Sequence, residues 1–259
     1  MSSSSGSTLA RTIPVLLGGA LIAATWSYLV LVRPADWESV GGSTEALITL
    51  VGYVGATILI LAGVLPQLPA RTVAIIPVAL LVNILLGQVI GSVGVPLYLD
   101  AVGTVLVAAL AGPRAGLATG ALSSVVWALF NPMALPFAAA SALTGWLAGT
   151  AARYGAFRNV VAAAGAGAVV GLLSGIVAAP VAAFVYGGTA GVGTGALVSI
   201  FREMGNSLLS SVTLQSVISD PLDKAIVFAL VCVVVRSLPE KTRRSLAGTP
   251  AAPLTSEAR

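Results

Sequence analysis

The run Val73-Ala-Ile-Ile-Pro-Val-Ala-Leu-Leu-Val-Asn-Ile-Leu-Leu-Gly-Gln-Val-Ile90 opens the stretch that decides the fold, and Leu147-Ala-Gly-Thr-Ala-Ala152 closes it. Between Val73 and Ala152 the charged residues are Asp100 and Arg114, with Arg153 just beyond the edge. The rest is mostly apolar or small, punctuated by Gly and Pro. Apolar runs of about 18 residues or more read as membrane-spanning helices. Continuous runs, rather than alternating ones, favour helices over a barrel. The stretch predicts four helices with little loop between them, and the remaining chain extends this bundle.

Composition points the same way. Of 259 residues, 57% are hydrophobic and 8% charged; soluble domains carry about a quarter charged residues. So few charges cannot cover a water-facing surface, so lipid must be the main solvent. The N-terminal apolar run, Ile13 to Val32, is longer than a signal-peptide core and lacks a small-residue cleavage site after it. Histidine is absent and Cys232 is the single cysteine, which excludes disulfides within the chain, Cys/His metal sites and His-dependent triads. No Gly-x-x-x-x-Gly-Lys-Ser/Thr loop is present, so ATP is not hydrolysed by that route. The chain reads as a non-enzyme without a cofactor. Its net charge of +4 reflects basic residues at helix ends, which points to membrane orientation and not to nucleic acid.

In order, residues 1–12 read as a disordered Ser-rich start. Helices are expected over Ile13–Val32 and Ala46–Leu65, joined by a polar loop in which Trp37 is an interface anchor. Further helices follow over Val73–Ile90, Leu99–Ala111, Ala115–Phe130, Pro136–Ala152, Val160–Tyr186 and Pro221–Leu238, with a basic tail after Pro239. Gly187 to Gly195 reads as a hinge. Eight spans put both termini on one side. That side collects ten of the 13 Lys and Arg residues; Arg33, Arg202 and Lys224 fall opposite. The positive-inside rule then makes both termini cytoplasmic.

Candidate chemistry concentrates on the expected outer side. Ala196 to Ile218 is too polar for a lipid-facing span yet periodic. Phe201, Met204, Leu208 and Val212 form one stripe; Glu203, Ser207, Ser211 and Gln215 recur every fourth residue on another, beside Arg202 and Asn206. It reads either as a surface amphipathic helix or as a helix closing a cavity with its polar stripe. Asp100 is the only acid in the central stretch. It reads either as an intramembrane functional carboxylate or as the cap of the helix it opens. Asn83 and Gln88 fit helix–helix hydrogen bonds or solute contacts equally well. Asp220, Pro221 and Asp223 fit the cap, first position and first turn of the last helix. Asn131, Pro136 and Phe137 fall in a loop near Asp100. Gly116-x-x-x-Gly120 and Gly145-x-x-x-Gly149 match the small-x-x-x-small pattern, for packing within the chain or for docking a partner helix.

Gly94-Val-Pro-Leu-Tyr-Leu-Asp-Ala-Val-Gly-Thr104, Gly112-Pro-Arg-Ala-Gly116, Asn131-Pro-Met-Ala-Leu-Pro-Phe137 and Ser219-Asp-Pro-Leu-Asp-Lys224 together resemble the substrate-binding S components of energy-coupling factor (ECF) transporters. The resemblance spans Val73 to Leu238. It implies a six-helix membrane protein, here residues 71–239, that captures a vitamin or similar micronutrient on the outer face. It also implies a transmembrane coupling protein and two ATPase subunits as partners. Residues 13–70 would add two helices to that pattern, and the first core helix departs from the family's Ala-x-x-x-Ala coupling pair, its Ala74 and Ala79 being five apart. The substrate-binding set expected on this reading is Asp100, Asn131, Phe137, Arg202, Glu203, Asn206 and Gln215 in an all-α membrane bundle. A sensor or secondary transporter for a small solute is the alternative.

Overall fold

The computed structural model describes residues 3–33, 43–188 and 191–247. These form α1 (Ser3–Val32), α2 (Thr44–Val64), α3 (Ala70–Ser92), α4 (Val102–Ala111), α5 (Pro113–Trp127), α6 (Ala138–Arg153), α7 (Val160–Val185), α8 (Val192–Glu203), α9 (Leu208–Ser237) and α10 (Glu240–Leu246). Short 3-10 turns occupy Leu65–Gln67, Pro132–Phe137 and Ala156–Arg158. No strand occurs among the described residues. Helices α1, α2, α3 and α7 are long and apolar enough to cross a membrane. Outward side chains such as Leu85 and Val169 are apolar, as lipid requires. The chain is a multi-pass helical membrane protein.

Several boundaries differ from expectation, each for a physical reason. Helix α1 begins at Ser3, so residues 3–12 are helical rather than disordered. No proline or charge interrupts Ser3 to Ala10, and a helix nucleated by the apolar span propagates back through them cheaply. Trp37 lies outside the described residues, as does the tail beyond Ala247. Before that point the tail forms α10, whose Leu246 carbonyl accepts from Thr72 Oγ1 at 2.6 Å.

The larger correction concerns Ala196 to Ile218, which is not one helix. Helix α8 ends at Glu203, and Gly205 turns the chain at φ +90°, a left-handed value that glycine adopts without strain. Ser207 then caps α9, its hydroxyl accepting from the Ser210 amide at 3.2 Å. Helix α9 continues through Pro221 without a break, so Asp220 and Pro221 do not start a helix. The proline costs α9 one backbone hydrogen bond, a loss that membrane helices commonly tolerate. Lys224, expected near the outer start of the last helix, therefore sits mid-helix inside the bundle.

Small residues set the packing. A Cβ on Gly116 would overlap the Gly145 carbonyl, one on Gly120 the Ser141 carbonyl, and one on Gly149 the backbone of Pro113. All four motif glycines thus hold α5 against α6 within the chain, which leaves them no face for a partner helix. Helices α7 and α9 use the same device at Gly167, Gly171 and Gly175, against Lys224, Pro221 and Asp220. Gly18 and Gly63 join α1 to α2. This hairpin shares one core with the rest of the bundle, in which Tyr53 and Ile60 meet Ala118, Leu135 and Val181. Trp26 Nε1 donates to the Val177 carbonyl of α7 at 2.9 Å, one turn before Pro180.

The bundle has two unlike ends. Arg114 reaches Gln67 Oε1 and Thr12 Oγ1 at 3.3 Å each, Arg236 donates to the Arg158 carbonyl, and Arg153 lies against Gly112. These arginines mark one end. The C-terminal ends of α3, α5 and α7 meet the N-terminal ends of α4, α6 and α9 at the other.

Candidate functional site

A cavity of about 390 Å³ lies at this second, arginine-poor end. Its walls come from α3 through α7 and from α9. Its roof is the α3–α4 loop, the Pro132–Phe137 turn, and Gly188 and Gly191 from the α7–α8 connection.

The α3–α4 side is built by capping from other helices. Asn83, fully buried on α3, accepts from the Gly103 amide at 2.7 Å and donates to Thr104 Oγ1 and Ser123 Oγ at 2.8 and 3.1 Å. It joins three helices and leaves Gln88, one turn above, to line the cavity. Asp223 on α9 is 1% exposed, and its Oδ1 accepts from the Tyr98 and Leu99 amides at 2.8 Å each. Leu99 has φ +52°, a strained left-handed conformation for a leucine, and this carboxylate holds it there. Asp100 follows directly. It does not cap α4, whose first turn has no side-chain cap. Instead Lys224 Nζ lies 3.1 Å from Asp100 Oδ1 and 2.5 Å from Asp223 Oδ2.

The roof is pinned from two sides. Tyr98 Oη and Thr194 Oγ1 are 2.8 Å apart, tying the α3–α4 loop to α8. Burial pushes the Tyr98 phenol above its ordinary pKa, so it keeps its proton at physiological pH. Asn131 caps the Pro132–Phe137 turn by accepting from the Met133 amide at 3.1 Å. Tyr186 donates to the Met133 carbonyl at 2.9 Å and stacks on Phe137 with centroids 5.6 Å apart.

Of the seven candidate side chains, Asp100, Asn131, Phe137 and Gln215 line the cavity together. Arg202, Glu203 and Asn206 lie outside it, at the α8–α9 turn. There Arg202 donates to the Asn206 carbonyl at 3.3 Å, and Asn206 Nδ2 to the Phe201 carbonyl at 3.0 Å. The break at Gly205 is the reason, because it ends the stripe that would have carried all of them to one face. Sequence reasoning missed Trp127, Ser216, Asp220 and Lys224 as lining residues. A signal for three of them exists: Ser216, Asp220 and Lys224 recur every fourth residue, one face of an unbroken helix. Reading Pro221 as a helix start concealed it.

Fold and cavity together define a helical membrane protein with a roofed chamber that combines apolar surface with many polar side chains, a form open to a small molecule. No protein-family model, curated protein or solved structure matches the chain.

Proposed function

We propose that this chain is the solute-capturing subunit of a micronutrient importer, resembling the S components of ECF transporters. In this reading α3, α4, α5, α6, α7 and α9 are the six-helix core and α1–α2 an added hairpin. The chain binds solute, and a transmembrane coupling protein with two ATPase subunits supplies the energy. The arginine-rich end faces the cytoplasm by the positive-inside rule, with both termini there, and the cavity opens outward from a bacterial plasma membrane. The observation that carries the reading is the 390 Å³ cavity at the arginine-poor end, roofed by loops and lined by Trp127, Phe137, Asn131 and Gln215. Ligand pockets of small molecules fall in the range of roughly 300–1,000 Å³.

A specific observation favours a second reading. Lys224 with Asp100 and Asp223 places charge within the bundle, as in ion-coupled carriers. One experiment separates the two. Protein purified gently from its native membrane should carry a small molecule detectable by mass spectrometry. Returned to liposomes, it should bind that molecule without concentrating it under a sodium or proton gradient. Uphill uptake in the absence of any ATPase would reject the importer-subunit reading in favour of the carrier. Gln215→Ala should weaken binding about tenfold or more, the cost of one lost buried hydrogen bond, and Asn206→Ala should not.

A further inference from the structure

The cavity's charges do not balance. Asp100, Asp220 and Lys224 are the only charged residues lining it among those described. Asp223 stands behind them in the wall with both oxygens engaged, Oδ1 by two amides and Oδ2 by Lys224. Lys224, 12% exposed, is in turn enclosed between Asp223 and Asp100. Three carboxylates, Asp100, Asp220 and Asp223, thus share one ammonium, which leaves carboxylate in excess. Lys224 meets Asp100 at Oδ1, and the Asp100 side chain is 30% exposed.

An aromatic surface adjoins this surplus. A Cβ on Gly87 would overlap Trp127 Cη2 and stand 3.0 Å from Asp100 Cβ, so the indole and the carboxylate share one point of the wall. Phe137 and Tyr98 complete the lining. Carboxylates in excess of their counter-charge in a bundle are costly. An aromatic face beside them attracts a cation further. An anionic solute has no cation to meet, because the one ammonium is already held.

Resting on the solute-capture reading, we propose that the cavity takes a small organic cation bearing an aromatic ring, its charge on Asp100 and Asp220 and its ring on Trp127. The test uses the full chain in lipid nanodiscs at neutral pH, with three probes of one size and different charge: tryptamine, tryptophol and indole-3-acetate. Titration calorimetry should give tryptamine at least about tenfold tighter binding than tryptophol, and no saturable binding of indole-3-acetate. Asp220→Asn leaves the Asp100–Lys224–Asp223 chain intact and should lower tryptamine affinity about tenfold with tryptophol unchanged. Asp100→Asn should act in the same direction. Tryptophol or indole-3-acetate binding as tightly as tryptamine overturns the charge preference and leaves solute capture standing. Displacement of tryptamine by sodium but not by choline assigns the carboxylates to an inorganic ion and also overturns it. Saturable binding of none of the three removes the solute-capture reading itself.

Discussion

Replacing Asp223 by alanine removes the acceptor of two amides and one of the two carboxylates on Lys224. Each orphaned buried amide costs about 1–3 kcal/mol. One belongs to Leu99, whose left-handed backbone carries about 1–2 kcal/mol of strain that nothing would then offset. Stranding a buried charge costs about 3–5 kcal/mol, but Lys224 retains Asp100, so this part is smaller. We expect a loss of about 4 kcal/mol. At roughly 2–4 °C per kcal/mol for a chain of this size, the Tm falls by about 8–16 °C. Asp223→Asn keeps a carbonyl oxygen for the amides and loses the charge, and should cost about half as much. Adding Lys224→Met to Asp223→Ala should recover part of the loss, since no ammonium is then left short of a partner. The assay is thermal unfolding in nanodiscs, followed by intrinsic fluorescence. A Tm for Asp223→Ala within about 2 °C of the parent would refute the reasoning, because the α3–α4 loop would then hold its shape without the carboxylate.

Gly116→Val drives a branched side chain into the Gly145 carbonyl and should abolish monodisperse protein on size-exclusion chromatography. Gly165→Ala, with nothing within 4 Å of the added carbon, should stabilise α7 by about 0.5–1 kcal/mol in the same unfolding assay. Trp26→Phe loses the hydrogen bond to the Val177 carbonyl and should lower stability by about 0.5–1.5 kcal/mol. In intact cells a membrane-impermeant maleimide should label Ser43→Cys and label Tyr154→Cys only after lysis; the native Cys232 is buried and stays silent. Labelling of Tyr154→Cys in intact cells would reverse the orientation.

The helical membrane class was legible in the sequence because it rests on bulk properties, the apolar runs and scarce charge, that no local contact can override. The end of α4 at Ala111, ahead of Gly112-Pro113, was legible for the same kind of reason, since glycine and proline act through their own backbone. Helix α5, by contrast, stops at Trp127, three residues short of the end expected before Asn131-Pro132. Legibility failed where one residue has two meanings. Pro221 reads as a helix start, yet lies inside α9 because Gly171 lets α7 close against it. Asp100 reads as a cap for α4, while the carboxylate that binds the amides ahead of that helix is Asp223, more than a hundred residues further on. Such capping across helices leaves no local trace in sequence. The polar lining followed: Gln215 was found through its periodicity, whereas Lys224 was lost with the misread proline.

The union of α7 and α9 bears on how a solute could reach the chamber. At Gly167 and Gly171 of α7 the backbone of α9 lies where a side chain would be, and at Gly175 the Asp220 side chain does, so most of that wall has no side chains to swing aside. The roof offers another route, since side-chain contacts such as Tyr98 to Thr194 on one segment and Tyr186 to Met133 on another can be released by a rotamer change. The two sides also differ in their freedom to diversify. Side-chain changes on the roof leave the helix seams in place, while a residue larger than glycine at Gly167 or Gly171 drives into the α9 backbone.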